Sequence, residues 1–230
     1  MTRLNLRGPR AFALAALAAV SGPALFAAGA GAQTVGGKAF GSYVNANGLT
    51  VQSPVATLPS TGGMDVGGAE SFGVASTIDA KWLKAVTTGA VDDPASSSQS
   101  TSELENVNIL GGLITADIVT AVASSYRNAG GAASEAEGSS FVNLVVGGVA
   151  MDTDVAPNTR VDLPGTGYAI LNEQTVTGDG VSSSGITVNM IHVVLQTLSG
   201  GGCTPLGCLP GTLTTTGEII VGSASSRVGS

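Results

Sequence analysis

The sequence predicts an all-β fold, an antiparallel β-sandwich of jelly-roll or Greek-key type, preceded by a signal peptide. Three observations carry this. Short apolar runs rich in Val, Ile and Thr alternate with Gly/Ser turns. No stretch shows the 3.6-residue period of an amphipathic helix. Charged residues are only 11% and aromatics 4% of 230 residues, against 34 glycines, the composition of an exported β-protein. The 43% apolar content suffices for a buried core and excludes wholesale disorder. A formal charge of −7 repels phosphate backbones and excludes a nucleic-acid partner.

Taken in order, the chain opens with Arg3, Arg7 and Arg10 ahead of an apolar run over 11–20. Ser21-Gly22-Pro23 breaks that run, and Ala30-Gly31-Ala32 fits the small-x-small pattern of signal peptidase, with cleavage before Gln33. Residues 1–32 are therefore expected to be a leader and 33–230 one domain. A membrane span needs about 20 apolar residues, and Pro23 with its neighbouring glycines opposes one here. The leader holds three of the nine basic residues and none of the sixteen acids, so the remainder carries −10. No later run is long and apolar enough to span a membrane. The expected location is secreted, at the cell surface or periplasmic.

Strands are expected within 39–44, 51–57 and 71–78, with 79–86 either a helical turn or a strand. The Asp/Ser-rich stretch 92–102 reads as a solvated loop. Strands at 104–110 and 113–125 follow, the second placing Ile114, Ala116, Ile118 and Val122 on one face. Residues 128–139 read as a loop, and 141–149, almost wholly apolar, as a central strand. Strands at 159–163, 168–176, 186–198 and 217–222 complete the set. Gly178-Asp179-Gly180 and residues 182–185 make a hairpin turn. Pro157 and Pro164 bound a short strand, and Asn158 and Asn172 suit turns at strand ends.

Cys203 and Cys208, the two cysteines, flank a Pro and a Gly. In an exported chain they are expected to form a local disulfide that pins a loop. A redox or metal pair is the other reading, weakened because the chain holds a single His.

Other chemistry is sparse. His192 shares a strand face with Val188, Met190 and Val194 under strict alternation, the setting of a partly buried structural histidine. No Gly-x-Ser-x-Gly elbow accompanies it. The acid pairs Glu103/Glu105 and Asp152/Asp154 each put two carboxylates on one strand face. Asp152 and Asp154 lead into a turn at Ala156-Pro157-Asn158, whose carbonyls would add oxygens, so they are the candidate Ca2+ ligands. The full calcium-loop pattern is absent. Trp82 and a few Tyr and Phe make a poor supply of aromatic sugar platforms. Arg160 and Asp162 share a face and are placed to pair with Glu173 or Asp117.

The runs GLITADIVTAVAS (112–124), GSSFVNL (138–144), VAPNTRVDLPG (155–165), LNEQ (171–174), VNMIHV (188–193) and GEIIVGSA (217–224) resemble the choice-of-anchor P family of bacterial exported proteins. The resemblance runs from about Gly36 to Ser226. It implies a secreted or surface-displayed domain and brings no catalytic residues.

The expected function is therefore a non-enzymatic exported surface protein, structural or adhesive. Its expected partners are its own β edges in another copy, or envelope and glycan components. A calcium-stabilised carbohydrate-binding module is the first alternative and an envelope hydrolase the second.

Overall fold

The structure is a computed structural model and describes residues 33–46, 48–204, 207–209 and 211–230. The expected leader lies outside the described residues. The described residues are all β and contain no helix. Sixteen strands run in chain order: β1 (Thr34–Ala46), β2 (Leu49–Leu58), β3 (Gly63–Val74), β4 (Ile78–Asp92), β5 (Ala95–Ile109), β6 (Ile114–Asn128), β7 (Gly131–Glu135), β8 (Ser140–Val142), β9 (Val145–Val146), β10 (Val149–Ala150), β11 (Thr159–Leu163), β12 (Gly167–Gly178), β13 (Ser184–Ser199), β14 (Gly202–Thr204), β15 (Gly207–Leu209) and β16 (Thr212–Gly229).

Two antiparallel sheets pack as the expected sandwich. One has the order β11-β12-β13-β16-β1-β2, the other β10-β9-β6-β5-β4-β3, with β7 and β8 also pairing β6. The connectivity is built from meanders, and the chain passes between the main sheets only at β2–β3 and β10–β11. The β2 and β3 edges close against each other at one side. Thr57 N donates to Asp65 Oδ2 at 2.7 Å there, and a Cβ on Gly67 would touch the Val55 backbone.

The sandwich is thin at one end and thick at the other. At the thin end β5 points Ser96, Ser98, Ser100 and Ser102 inward, all buried. Ser102 Oγ donates to Phe40 O at 2.8 Å, and Ser98 Oγ donates to Arg227 O at 3.0 Å, both across the sheets. Gly37 faces Ser100, whose Oγ would lie 2.6 Å from an added Cβ. One hydroxymethyl thus spans a gap that Val or Leu would hold open at about 10 Å. Ala39, Ala56 and Ala85 fill the same layer. At the thick end Leu104, Ile109, Ile114, Phe141, Leu171, Ile191 and Ile219 form an apolar core.

A seam of unpaired residues divides the two ends, with the register kept on either side of it except between β4 and β5. In the first sheet, pairing skips Asn172, Met190, Gly222 and Gly41, so each strand's alternation inverts there. The buried positions of β1 run Val35, Ala39, then Ser42, Val44. In the second sheet the skipped residues are Glu70, Trp82, Asn106 and Asp117. The seams face one another: a Cβ on Gly41 would meet Leu83 Cδ2 at 2.7 Å, and one on Gly222 would meet Val119 Cγ1 at 2.9 Å. Glycine on one sheet makes room for a branched side chain from the other.

Several expectations change. Residues 92–102 are mostly strand, because Ser96, Ser98, Ser100 and Ser102 are the inner face of the thin end. Residues 79–86 are strand, and 131–135 pair with β6. The apolar run 141–149 is not a central strand. Asn143, Gly147 and Gly148 take positive φ and cut it into β8, β9 and β10 on the flank of β6. On β6 the inward set is Ile114 and Ala116, then Val119, Ala121 and Ala123, since the seam at Asp117 inverts the alternation.

Candidate functional site

The seam builds the strongest polar constellation of the molecule. Skipping Met190 turns His192 to the outer face, away from Val188 and Met190, which is where the strict alternation fails. Skipping Asn172 brings Glu173 beside it. Glu173 Oε2 lies 3.0 Å from His192 Nδ1 and accepts from Asn189 Nδ2 at 2.7 Å. Ser223 Oγ donates to Asn189 Oδ1 at 2.7 Å. On the far side of the ring, Glu218 Oε2 stands 3.4 Å from Nε2 and adds a second, weaker carboxylate contact. The row Glu218–His192–Glu173–Asn189–Ser223 spans three adjacent strands.

The electrostatics follow from this geometry. The hydrogen bond that His192 donates to Glu173 raises the His192 pKa above 6.5, against desolvation. The same bond lowers the Glu173 carboxyl below 4.5. Two carboxylates flanking the ring favour its protonated form. Ser223 bonds Asn189 rather than His192, so the row does not align a hydroxyl with a base. The carboxylates approach opposite ring nitrogens instead of a shared point. Among the described residues, no group of three or more His, Cys, Asp or Glu side chains is placed to hold a metal ion.

The remaining candidates fall elsewhere. Asp152 and Asp154 are exposed and lie in the loop after β10, not on a strand face. The following turn is tied to β12 by Asn172 Nδ2 donating to Val155 O at 2.8 Å and by Gln174 N donating to Asn158 Oδ1 at 2.9 Å. Cys203 and Cys208 are register partners in the β14–β15 hairpin; their side chains lie outside the described residues. Arg160 pairs with its own neighbour Asp162 at 3.1 Å and stacks 3.7 Å over the Tyr168 ring, rather than reaching Glu173 or Asp117. Asp117 accepts from Asn143 instead, at 2.7 Å. Glu103 and Glu105 do share the outer face of β5.

Sequence reasoning missed Glu173, Glu218, Asn189 and Ser223 as a group. The usable signal was glycine at 222 within an apolar strand, since an isolated strand glycine marks a bulge.

The β13–β16 ribbon is the second feature. Beyond Leu195, β13 loses β12, and before Gly217, β16 loses β1. Gln196–Ser199 and Thr212–Thr215 then pair as strands with each other, and Gln196 N, at the base of the arm, donates to Thr166 O at 2.8 Å. This arm stands beside the β11–β12 turn, leaving an open cleft of about 600 Å³ lined by Leu163, Pro164, Leu198 and Leu213. Leu198 and Leu213 are 65% and 62% exposed. Residues 196–217 contain no charged side chain.

Fold and site together define an all-β sandwich domain with a polar row on one sheet and a projecting uncharged arm. The chain belongs to the family described as a domain of unknown function (DUF8256), whose model matches residues 26–179, more than half its length. No curated protein and no solved structure matches it.

Proposed function

We propose that the protein is exported and acts outside the cytoplasm as a non-enzymatic structural or adhesive module whose contacts are made by the β13–β16 arm. The observation that carries this reading is the arm itself: two strand edges without partners, exposed leucines and no charge. Lone edges of this kind accept another strand, and natural sandwiches usually blunt them with charges. The β2 and β11 edges are blunted in that way: Asp65 caps β2, and Arg160 and Asp162 lie on β11. The leader-like start and the resemblance to choice-of-anchor P proteins support export. Among the described residues no helix is long and apolar enough to cross a membrane.

The test has two parts. Fractionation of producing cells is expected to find the chain, shortened at Gln33, in the envelope or the medium. Purified protein is expected to self-associate with concentration or to bind isolated envelopes, and L213K/T215K to abolish this with the melting temperature kept. A wild-type chain that stays in the cytosol, or is monomeric and binds no envelope, defeats the proposal.

A further inference from the structure

The chain has one tryptophan. Trp82 sits at the seam of the second sheet, opposite the arm's sheet, and is 60% exposed. Its φ is 48°, a left-handed conformation that a bulky L-residue rarely adopts. The bulge sets Trp82 and Lys81 outward together, while Ala80 and Leu83 point into the core. A core role does not account for the ring, because the core contact of this bulge is made by Leu83 against Gly41.

The surroundings of the ring are specific. Trp82 falls between two cross-strand pairs, Lys81 opposite Glu105 and Lys84 opposite Glu103. On the other neighbour, Glu70 is the residue skipped across from it. The ion pairs of the described residues are Arg160–Asp162 and those of His192. Lys81, Lys84, Glu70, Glu103 and Glu105 are therefore uncommitted, although oppositely charged register partners stand side by side. An apolar plate ringed by free donors and free acceptors of both signs matches one chemistry well. A sugar ring offers an apolar C–H face for the indole and hydroxyls that both donate and accept around it. The three acids oppose an anionic lipid surface, and the flanking charges oppose an apolar protein partner.

We propose that Trp82 is the stacking platform of a saccharide-binding site, with Lys81, Lys84, Glu70, Glu103 and Glu105 supplying its hydrogen bonds. The site uses other residues than the arm and stands or falls separately from it. As the lone indole, Trp82 reports binding by its own fluorescence. The probes are oligosaccharides of glucose and of N-acetylglucosamine, with the matching insoluble polymers as affinity matrices. At least one probe is expected to shift the emission of the full chain and to retain it on the matrix. W82F is expected to keep part of that retention. W82G removes the ring and relieves the left-handed backbone, so it is expected to lose at least about tenfold in retention with an unchanged or higher melting temperature. Self-association through the arm is expected to persist in W82G. Retention by W82G equal to wild type, or no emission shift and no retention with any probe, overturns the proposal.

Discussion

Ser100 and Ser102 lie two residues apart on β5, both fully buried at the thin end, yet their hydroxyls differ. Ser102 Oγ donates to Phe40 O, whereas Ser100 Oγ has no hydrogen-bond partner. A buried hydroxyl without a partner costs stability, and one with a partner contributes about 1 kcal/mol. Chemical denaturation is therefore expected to show S102A destabilised by about 1 kcal/mol and S100A unchanged or stabilised. Equal losses in both variants would contradict this account of the layer. Enlarging the same site is a different matter: S100L has to displace the Gly37 backbone, and overpacking of this kind costs about 1–3 kcal/mol or more. Local geometry also holds Asp179, which accepts from Val181, Ser182 and Ser183 N–H groups and from the Ser182 hydroxyl. The Ser182 hydroxyl bond is the main cause of its lowered carboxyl pKa.

At the scale of the element, the seam is a row of bulge-like irregularities in which, outside β4–β5, both partner strands skip one residue and the register is kept. A single bulge bends one strand and re-aims its side chains. Aligned across four or more strands, the bulges invert the alternation of a whole sheet, and the two ends can then carry different cores. The cost is backbone strain, relieved where glycine occupies the left-handed site. Gly222 has φ 66°, and a Cβ added there would meet Val119 from the facing sheet, whereas Gly111 has φ 65° and open space around it. G222A and G111A share the conformational cost of about 1 kcal/mol, and only G222A adds the inter-sheet contact. The melting temperature is expected to fall further in G222A, at about 2–4 °C per kcal/mol for a chain of this size. Identical shifts would place the facing seams farther apart than described.

Across the whole molecule, the paired charges of the polar row link stability to pH. His192 has a raised pKa, so its contribution is complete below 6.5 and is lost as pH climbs through the folded value. Glu173 has a lowered pKa, so its contribution is complete above 4.5 and is lost as pH falls through the folded value. The two overlap fully between 4.5 and 6.5. Melting temperatures at pH 5.5 and 8.5 are expected to differ in favour of the lower pH by up to about 1 kcal/mol equivalent, given the partial exposure of the pair. H192Q is expected to remove that difference. A wild-type and variant pair with parallel pH profiles would rule the linkage out.

The two-sheet class, the turn at Asp179 and the Pro-bounded strand β11 were legible in the residues, because turn chemistry and local alternation act within a few positions; the length of the main strands, 15 residues in β4, β5 and β6 and 18 in β16, was not. The facing of His192, the strand through Ser96 and Ser98, and the break-up of 141–149 were not. Each depends on what stands opposite: Asn172 and Gly222 beside Met190, Gly37 beneath Ser100, and the β6 flank beside Val145. Local residue chemistry was enough to specify a low-charge, glycine-punctuated β chain. Which face each residue takes past the seam came from strand packing on strand, since one extra residue in a period of two reverses every later side chain and its place is set by the neighbouring strands.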